Sequence, residues 1–368
     1  MKILFDHKIF LLQKYGGISR YISKLNYNLN LKNIDSKIIS PISINKYLIN
    51  TEKNQVVHFH LKKVYRFCNK LFNFYNDQFS NYYINKFKPN IIHRTYYKPG
   101  YTRYKFKKFI TVITVYDLIH EKFSKMYNLK NENKWKEKYL SQADHIICIS
   151  RQTQDDLLKF YNINREKTSI VHLGSEFNLE ADKHLQFSLK KKQKFLLYVG
   201  DRKRYKNFKK FIHAFSLSRE LQKNFKIVCC GSVKFTEDEK KYFKKININL
   251  NDINYFEASD NLLAYFYKNA TCLVFPSKYE GFGLPAIEAM SYGCPVIASD
   301  IKIFREILGE NASYFDPDNE YDIKKILEEN ILSNDKLIQL SKNGFEHSKN
   351  YTWQKCADET LKVYKKII

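Results

Sequence analysis

The chain has 368 residues, of which 44% are hydrophobic and 27% charged, and it carries a formal net charge of +25. This length can form two domain cores, and the apolar content excludes an intrinsically disordered chain. The excess of positive charge predicts an anionic partner, either nucleic acid or an acidic membrane surface, and charge alone does not choose between them.

The cysteines and the N-terminus indicate the compartment. Seven cysteines are scattered along the chain, mostly within apolar runs, and no C-x-x-C pair is present. An odd number of isolated thiols predicts reduced cysteines in a cytoplasmic protein. Asp6 and Lys8 interrupt the first apolar run, which argues against a signal peptide, and no apolar run reaches transmembrane length.

Apolar runs and amphipathic segments alternate along the first half of the chain. We predict strands at 2–5, 36–40, 109–115, 143–150 and 168–174, with helices between them. This alternation is typical of a parallel sheet covered by helices on both faces.

Two features of this half are candidate ligand contacts. Gly16 and Gly17 lie at the turn into a helix predicted at 18–31, where backbone amides can face an anion, although a glycine pair also fits a plain turn. Asp117 follows the strand at 109–115, at the end where open α/β sheets place ligands. We expect Asp117 to position a substrate hydroxyl, and a cap or turn role is the alternative.

The segment 61–88 has apolar residues at helical spacing, many of them aromatic, and several lysines. A basic, aromatic-rich amphipathic helix can lie on an anionic bilayer. An ordinary helix with its aromatic residues in the core and its lysines in water is the other interpretation.

The second half begins after a polar, lysine-rich stretch that predicts an interdomain linker. The buried strand FLLYVG at 195–200 is followed by a cationic turn that contains Arg202, Arg204 and Lys206, and then by a helix predicted at 207–222. Cations held at the top of a sheet, near a helix N-terminus, would stabilise a departing diphosphate. A solvated basic turn is the alternative.

The stretch EGFGLPAIEAMSYGCPVIAS, residues 280–299, predicts a loop, a helix, a turn and a buried strand. Gly281 and Gly283 allow close approach or positive φ, and Pro285 suits the first turn of a helix. The amides at that helix start suit a phosphate. Glu280 and Glu288 border the same point and are placed to accept hydrogen bonds from hydroxyls, so the pair of features indicates a nucleotide-sugar site.

Other patterns favour structural roles. The D-x-D at Asp316 and Asp318 follows a short strand and precedes a helix, where Asp and Pro act as caps and turns. His58 and His60 have no third metal ligand in view. These two patterns therefore predict no metal site. No nucleic-acid-binding motif is present, so we predict no nucleic acid binding either.

EGFGLPAIE, with TCLVFPSKY before it and MSYGCPVIASD after it, resembles the donor site of the retaining GT-B glycosyltransferases of family 4. The resemblance implies an α/β fold of two Rossmann-like domains with parallel sheets that face each other across a cleft. It implies an acceptor domain at 1–178, a linker at 179–194 and a nucleotide-sugar domain at 195–350. The C-terminal helix, 351–368, is expected to cross back to the first domain.

The resemblance also implies residue roles. Glu280 corresponds to the contact with the donor sugar and Glu288 to the contact with the ribose. Arg202 and Lys206 correspond to the diphosphate contacts, although many members place the arginine where this chain has Asp201. The remaining donor contacts are Gly16, Gly17, Phe256 near the nucleobase, Gly281, Phe282, Gly283 and Leu284. Asp117 is the fourth catalytic candidate, and Tyr116 stands where most members have histidine.

By resemblance, the function is transfer of a hexose-type sugar, mannose-like, from a GDP- or UDP-sugar to a lipid-linked glycan, with retention of configuration. The product would belong to a surface polysaccharide such as O-antigen, capsule or exopolysaccharide. Fixed cations and amides replace a metal, so no cofactor is expected. The protein would lie at the inner face of the cytoplasmic membrane, bound peripherally to its anionic surface.

Two other functions stay open. A GT-B nucleotide-sugar epimerase would use the same fold without an acceptor. A non-catalytic protein that binds glycans or membranes would account for the charge but not for Glu280, Glu288 and Lys206 together.

Overall fold

The computed structural model describes residues 1–49, 56–60, 69–97, 109–124, 130–175, 193–202, 204–231, 233–257 and 259–368. For residues 58–60, 69 and 130–133 it describes the backbone alone. The chain divides into two compact units. Unit 1 comprises Met1–Gly174 and Trp353–Ile368, and unit 2 comprises Ser175–Thr352.

Unit 1 contains a parallel sheet of seven strands among the described residues, in the order β3-β2-β1-β4-β5-β6-β7. Its elements are β1 (Lys2–Phe5), α1 (Gly17–Leu31), β2 (Asp35–Ser43), β3 (Val56–His60), α2 (Asn69–Phe87), β4 (Ile91–Arg94), β5 (Ile110–Val115), α3 (Ile119–Lys122), α4 (Lys130–Gln142), β6 (His145–Cys148), α5 (Arg151–Phe160) and β7 (Thr168–Ile170). β4, β5 and β6 are almost wholly buried, because helices cover both faces of a parallel sheet.

Unit 2 contains a parallel sheet of six strands in its described part, in the order β10-β9-β8-β11-β12-β13. Its elements are β8 (Phe195–Val199), α6 (Phe208–Ser216), α7 (Arg219–Asn224), β9 (Lys226–Gly231), α8 (Glu237–Lys245), β10 (Ile253–Glu257), α9 (Asp260–Asn269), β11 (Cys272–Phe275), α10 (Leu284–Ser291), β12 (Val296–Ser299), α11 (Lys302–Leu308), β13 (Ser313–Phe315), α12 (Glu320–Ile331) and α13 (Asn334–Ser348). The predicted pair of Rossmann-like parallel sheets is confirmed.

The last helix, α14 (Trp353–Ile367), belongs to unit 1 although it follows unit 2 in the chain. It packs on α1, where the rings of Tyr21 and Trp353 lie 6.3 Å apart and Lys32 pairs with Asp358 at 2.7 Å. Inside the unit, His93 Nδ1 and Tyr364 Oη are 2.5 Å apart. The predicted return of the C-terminal helix to the first domain is confirmed.

The prediction of one helix at 207–222 is wrong, because two helices, α6 and α7, occupy this range. Ser218 has extended backbone, and its hydroxyl accepts a hydrogen bond from Leu221 N, which starts α7. Sequence analysis also missed α8, although the T-x-x-E pattern of a capping box stands before it. Thr236 and Glu239 close that box with reciprocal hydrogen bonds.

Some predictions fall outside the described residues. Most of the predicted linker 179–194 does, and so do residues 61–68 of the basic segment 61–88; residues 69–87 of that segment form α2. The side chains of His58 and His60 are likewise not described. Within the described chain, no helix has the length and apolar character needed to span a bilayer.

Candidate functional site

The candidate donor residues of unit 2 gather where its central strands end. β8 and β11 are hydrogen-bonded neighbours, and β12 pairs with β11 on the other side. Because all three strands are parallel, the loops that follow them leave the sheet at the same edge. Lys206 lies on the loop after β8, and Glu280 lies on the loop after β11.

Lys206 and Glu280 form the ion pair at the centre of this edge. Lys206 Nζ is 2.6 Å from Glu280 Oε1, and both side chains are mostly buried. The ammonium also lies 5.9 Å from the ring centre of Phe275, the last residue of β11. Among the described residues, Glu280 is the carboxylate that pairs with this partly desolvated cation, and an incoming anion could take its place.

The glycine-rich loop leads directly into α10. Gly283 has φ +99° and precedes Leu284, the first residue of the helix. A side chain at Gly283 would lie 3.1 Å from the Phe304 ring, so both the positive φ and the close approach require glycine. The Phe282 side chain is buried and packs on the Tyr351 ring, and a ligand contact at this loop stays a prediction.

The second glutamate lies one turn into α10. Glu288 is nearly buried, and its Oε2 accepts a hydrogen bond of 3.0 Å from the Tyr267 hydroxyl. Tyr267 is a partner that sequence analysis missed. Phe256, near the end of β10, packs on Phe266 at 5.0 Å between ring centres.

Arg202 differs from Lys206 in its surroundings. Its Nε and Nη2 donate to the two carboxylate oxygens of Glu239, at 2.9 and 3.2 Å, and Nη2 also donates to Lys234 O. The guanidinium carbon lies 4.6 Å from the ring centre of Phe235. The partners that the structure gives Arg202 thus include Glu239, the Lys234 carbonyl and the Phe235 ring, whereas Lys206 pairs with Glu280.

Two serine hydroxyls at the same sheet edge were missed by sequence analysis. Ser277 follows β11 and Ser299 ends β12, both are fully buried, and neither Oγ has a hydrogen-bond partner in the described part of the chain. Their position after parallel strands is the feature that would have identified them.

In unit 1, the glycine pair lies at the start of α1. Gly17 is the first residue of the helix, and Gly16 precedes it with extended backbone. A side chain at Gly16 would lie 2.3 Å from Gln13 Oε1, and that oxygen accepts a hydrogen bond from Ser19 N. Gln13 therefore already satisfies one of the amides at this helix start.

Asp117 shows the turn role that was its alternative. Its Oδ1 accepts a hydrogen bond of 3.1 Å from Ile119 N, which opens α3. The buried Lys136 donates to Asp117 O at 2.7 Å and pairs with Glu121 at 3.1 Å. A substrate role for Asp117 stays a prediction.

A buried polar cluster at the end of β1 was not anticipated. Lys8 Nζ lies 2.7 Å from Asp77 Oδ1, and His7 Nε2 lies 3.5 Å from the same oxygen. Asp6 Oδ1 accepts a hydrogen bond from Thr95 N at 3.2 Å. Burial, with the positive charge of Lys8 beside it, lowers the pKa of His7 well below its usual value.

Within the described residues, no three His, Cys, Asp or Glu side chains are grouped so that they could hold a metal ion. The D-x-D forms a turn, in which Asp318 N donates to Asp316 Oδ1 at 2.8 Å and Asp316 N donates to Asp322. Metal independence stays a prediction.

Two family models match the chain and meet near the boundary between the units. Residues 15–176 match the model described as Glycosyltransferase Family 4, and residues 180–347 match Glycosyl transferases group 1. Together these matches account for most of the sequence.

Among relatives, O-antigen chain mannosyltransferase RfbU of Salmonella typhimurium is 32% identical over 185 residues, which are 49% of this chain and 49% of the relative. O-antigen chain mannosyltransferase B of Escherichia coli is 24% identical over 251 residues, 65% of this chain and 66% of the relative. The matches thus span about half to two thirds of these relatives.

The fold is shared with a solved structure, Anabaena HepE in complex with UDP-glucose. The TM-score is 0.75 at 14% identity, and the superposition covers 100% of both chains. Since the two family models adjoin and the two parallel sheets match a solved structure over their full length, the chain belongs to the GT-B glycosyltransferases of family 4 type.

Proposed function

We propose that this chain is a retaining, metal-independent hexosyltransferase that moves a mannose-like sugar from a nucleotide-diphosphate sugar to a glycan of a surface polysaccharide. The names of the O-antigen mannosyltransferase relatives support the sugar and the pathway class. The relative of known structure that binds UDP-glucose supports a nucleotide-sugar donor.

The observation that carries the proposal is the Lys206–Glu280 ion pair at 2.6 Å, at the sheet edge reached by the loop into α10. A diphosphate at this edge would meet the ammonium and the amides at the helix start. Glu280, released from the lysine, would accept hydrogen bonds from donor-sugar hydroxyls. In this exchange of partners, Lys206 binds the diphosphate and Glu280 binds the donor sugar.

In the proposed reaction, the bond between the anomeric carbon and the phosphate oxygen breaks, and a new bond forms to the acceptor oxygen on the same face of the sugar. Lys206 stabilises the negative charge that develops on the leaving diphosphate. The acceptor proton passes to the departing phosphate oxygen. No general base from the protein is needed in this scheme.

The first test is a thermal-shift panel without metal, with GDP, UDP, ADP, CMP and the matching nucleotide-sugars. We expect one nucleoside diphosphate and its sugar to raise the melting temperature of the wild type, because a ligand that binds only the folded state stabilises it. Lys206→Ala should lose most of this shift. Lys209→Ala removes a nearby lysine that lies over the Tyr242 ring, and it should keep the shift.

The same panel can contradict the proposal. If no nucleotide shifts the wild type, even with a glycan extract present, the binding-protein alternative gains. If a nucleotide-sugar binds and is converted to its epimer with no acceptor, the epimerase alternative replaces transfer.

We also propose that unit 1 lies on an anionic membrane, where a lipid-linked acceptor would be found. Unit 1 has 35 Lys and Arg against 14 Asp and Glu, a net charge of +21. Its helix α2 has four large side chains that are 45–65% exposed: Leu71, Phe74, Tyr75 and Tyr82. Exposed apolar groups on a basic unit suit the interface of an anionic bilayer.

Flotation with vesicles of phosphatidylglycerol and phosphatidylcholine tests this proposal. We expect binding at low salt that falls with ionic strength, and weaker binding by Leu71→Ser/Tyr82→Ser. Leu332→Ser, a change at an exposed leucine of unit 2, should bind as the wild type does. No binding to anionic vesicles would refute membrane association, and equal binding to neutral vesicles would refute its dependence on anionic lipid.

A further inference from the structure

The loop after β8, which carries Lys206, contains two residues in a backbone conformation that non-glycine residues rarely adopt. Arg204 has φ +53° and Asn207 has φ +56°, both in the left-handed region. For arginine this conformation costs roughly 1–2 kcal/mol. Contacts with other parts of the chain stabilise the loop in this conformation, and the hydrogen bonds of Arg202 are among them.

Arg202 joins this loop to the start of α8 through hydrogen bonds. Arg202 Nε donates to Glu239 Oε1 at 2.9 Å and Nη2 donates to Glu239 Oε2 at 3.2 Å. Nη2 also donates to Lys234 O at 2.9 Å. Glu239 closes the capping box of α8 with the same carboxylate. Burial by itself would raise the pKa of Glu239, but the hydrogen bonds from Arg202 and Thr236 outweigh it and hold this pKa below its usual value.

Aromatic rings enclose the guanidinium. The rings of Phe235, Tyr255 and Phe208 lie 4.6, 5.6 and 6.0 Å from it, and they come from the loop before α8, from β10 and from α6. The Arg202 side chain is only 5% exposed. Its positive charge is thus compensated within the protein, whereas Lys206 pairs with one acidic side chain, Glu280, in the part of the chain that the structure describes.

From this geometry we infer that Arg202 is a positioning residue, which braces the β8 loop against α8 so that Lys206 is presented to the diphosphate, and is not itself a diphosphate ligand. The inference rests on the proposed function, since Lys206 is taken as the diphosphate contact. It assigns Glu239, which no family motif identified, to the same brace.

The test compares Arg202→Gln, Arg202→Lys, Glu239→Gln and the double variant Arg202→Gln/Glu239→Gln. Lys241→Gln, on the exposed side of α8, is the control for loss of charge. GDP and UDP affinities are measured by calorimetry, and unfolding by urea titration. Arg202→Lys is informative because lysine keeps the charge but lacks the planar fork.

If Arg202 is a brace, Arg202→Gln and Glu239→Gln each weaken diphosphate affinity by about tenfold, and the double variant loses no more than either. Arg202→Lys should be as impaired as Arg202→Gln. In a Lys206→Ala background, Arg202→Gln should weaken binding no further, because its effect acts through that lysine.

A diphosphate ligand would behave in the opposite way. Glu239→Gln would then keep or raise the affinity, and Arg202→Lys would largely restore it. Stability loss with unchanged affinity would also overturn the inference, because Arg202 would then be only structural. If the wild type binds neither nucleotide, the proposed function fails, and with it the presentation of Lys206 to a diphosphate. The urea unfolding measurements then test only the Arg202–Glu239 contact: equal, non-additive losses of stability show the contact, and additive losses reject it.

Discussion

The two units have the same kind of parallel sheet but handle charge differently. Unit 1 has a net charge of +21, and it buries ionisable groups such as Lys8, Asp77 and His93 among its strand ends. Unit 2 has 28 Lys and Arg against 24 Asp and Glu, a net of +4. Several of its cations pair with nearby acids, as Arg305 does with Asp300.

This difference separates two uses of positive charge. The diphosphate site proposed in unit 2 depends on one well-placed lysine in a nearly neutral unit, not on the bulk charge of the chain. The bulk charge belongs to unit 1, so a large anionic surface is expected to meet that unit. The net charge of +25 is therefore not evidence for the donor site.

The largest effect should follow from removing α14. Deleting residues 353–368 exposes the surface that its buried side chains cover, namely Trp353, Cys356, Ala357, Thr360 and Tyr364. Burial of each large apolar side chain contributes about 1.5–3 kcal/mol to the free energy of unfolding. The total loss on deletion is therefore comparable to the stability of a whole domain. Hydrogen exchange should show unit 1 unprotected and unit 2 protected, whereas Lys365→Gln, at an exposed position of α14, should change neither. If unit 1 stayed protected from exchange in the truncated chain, the assignment of α14 to unit 1 would be contradicted.

The next effect concerns the buried ion pair of unit 1. Asp77→Ala leaves the buried Lys8 ammonium without this partner and should reduce the free energy of unfolding by about 3–5 kcal/mol. The double variant Lys8→Met/Asp77→Leu removes both charges and should recover much of that loss. Urea denaturation measures both, and a cost below about 1 kcal/mol for Asp77→Ala would mean that water replaces the carboxylate.

Acid should weaken unit 1 before unit 2. Burial lowers the pKa of His93 to about 3, and it also lowers the pKa values of His7 and His145. Because the unfolded histidines take up protons near pH 6.5 and the folded ones do not, stability is fully present above that pH and falls as the pH decreases. For His93 the loss at pH 5 is on the order of 2 kcal/mol.

Hydrogen exchange between pH 7 and pH 4.5 measures this effect for each unit. The described histidines of unit 2, His213 and His347, are not buried, so its protection should change less. His93→Gln cannot titrate and should flatten the pH dependence of unit 1. Equal acid sensitivity of the two units would contradict the assignment to buried histidines.

The smallest effect should come from an exposed pair in unit 2. Arg305 donates to both carboxylate oxygens of Asp300 at 2.8 Å, but the two side chains are 41% and 48% exposed. Water and salt screen such a pair, so Asp300→Asn should cost less than about 1 kcal/mol. If Asp300→Asn reduced the free energy of unfolding as much as Asp77→Ala does, burial would not explain the difference between the ion pairs of the two units.

Local sequence predicted most elements of both units. Apolar runs identified the strands, and the structure shows the hydroxyls of Ser150 and Ser259 capping α5 and α9. The split of the helix after Lys206 was missed because Ser218 fits a helix interior as well as a cap until its partners are known. The loop around Gly283 was recognised because positive φ and close packing leave a specific residue pattern.

Short motifs beside predictable strands were enough to assign the family, the two-sheet fold and the location of Lys206, Glu280 and Glu288 near strand ends. The partners of each cation, in contrast, became clear only from the folded packing. Arg202 and Lys206 are four residues apart and look equivalent in the sequence, yet Glu239 and three aromatic rings enclose the first. Such partners come from distant parts of the chain, and only the folded packing brings them within hydrogen-bonding distance.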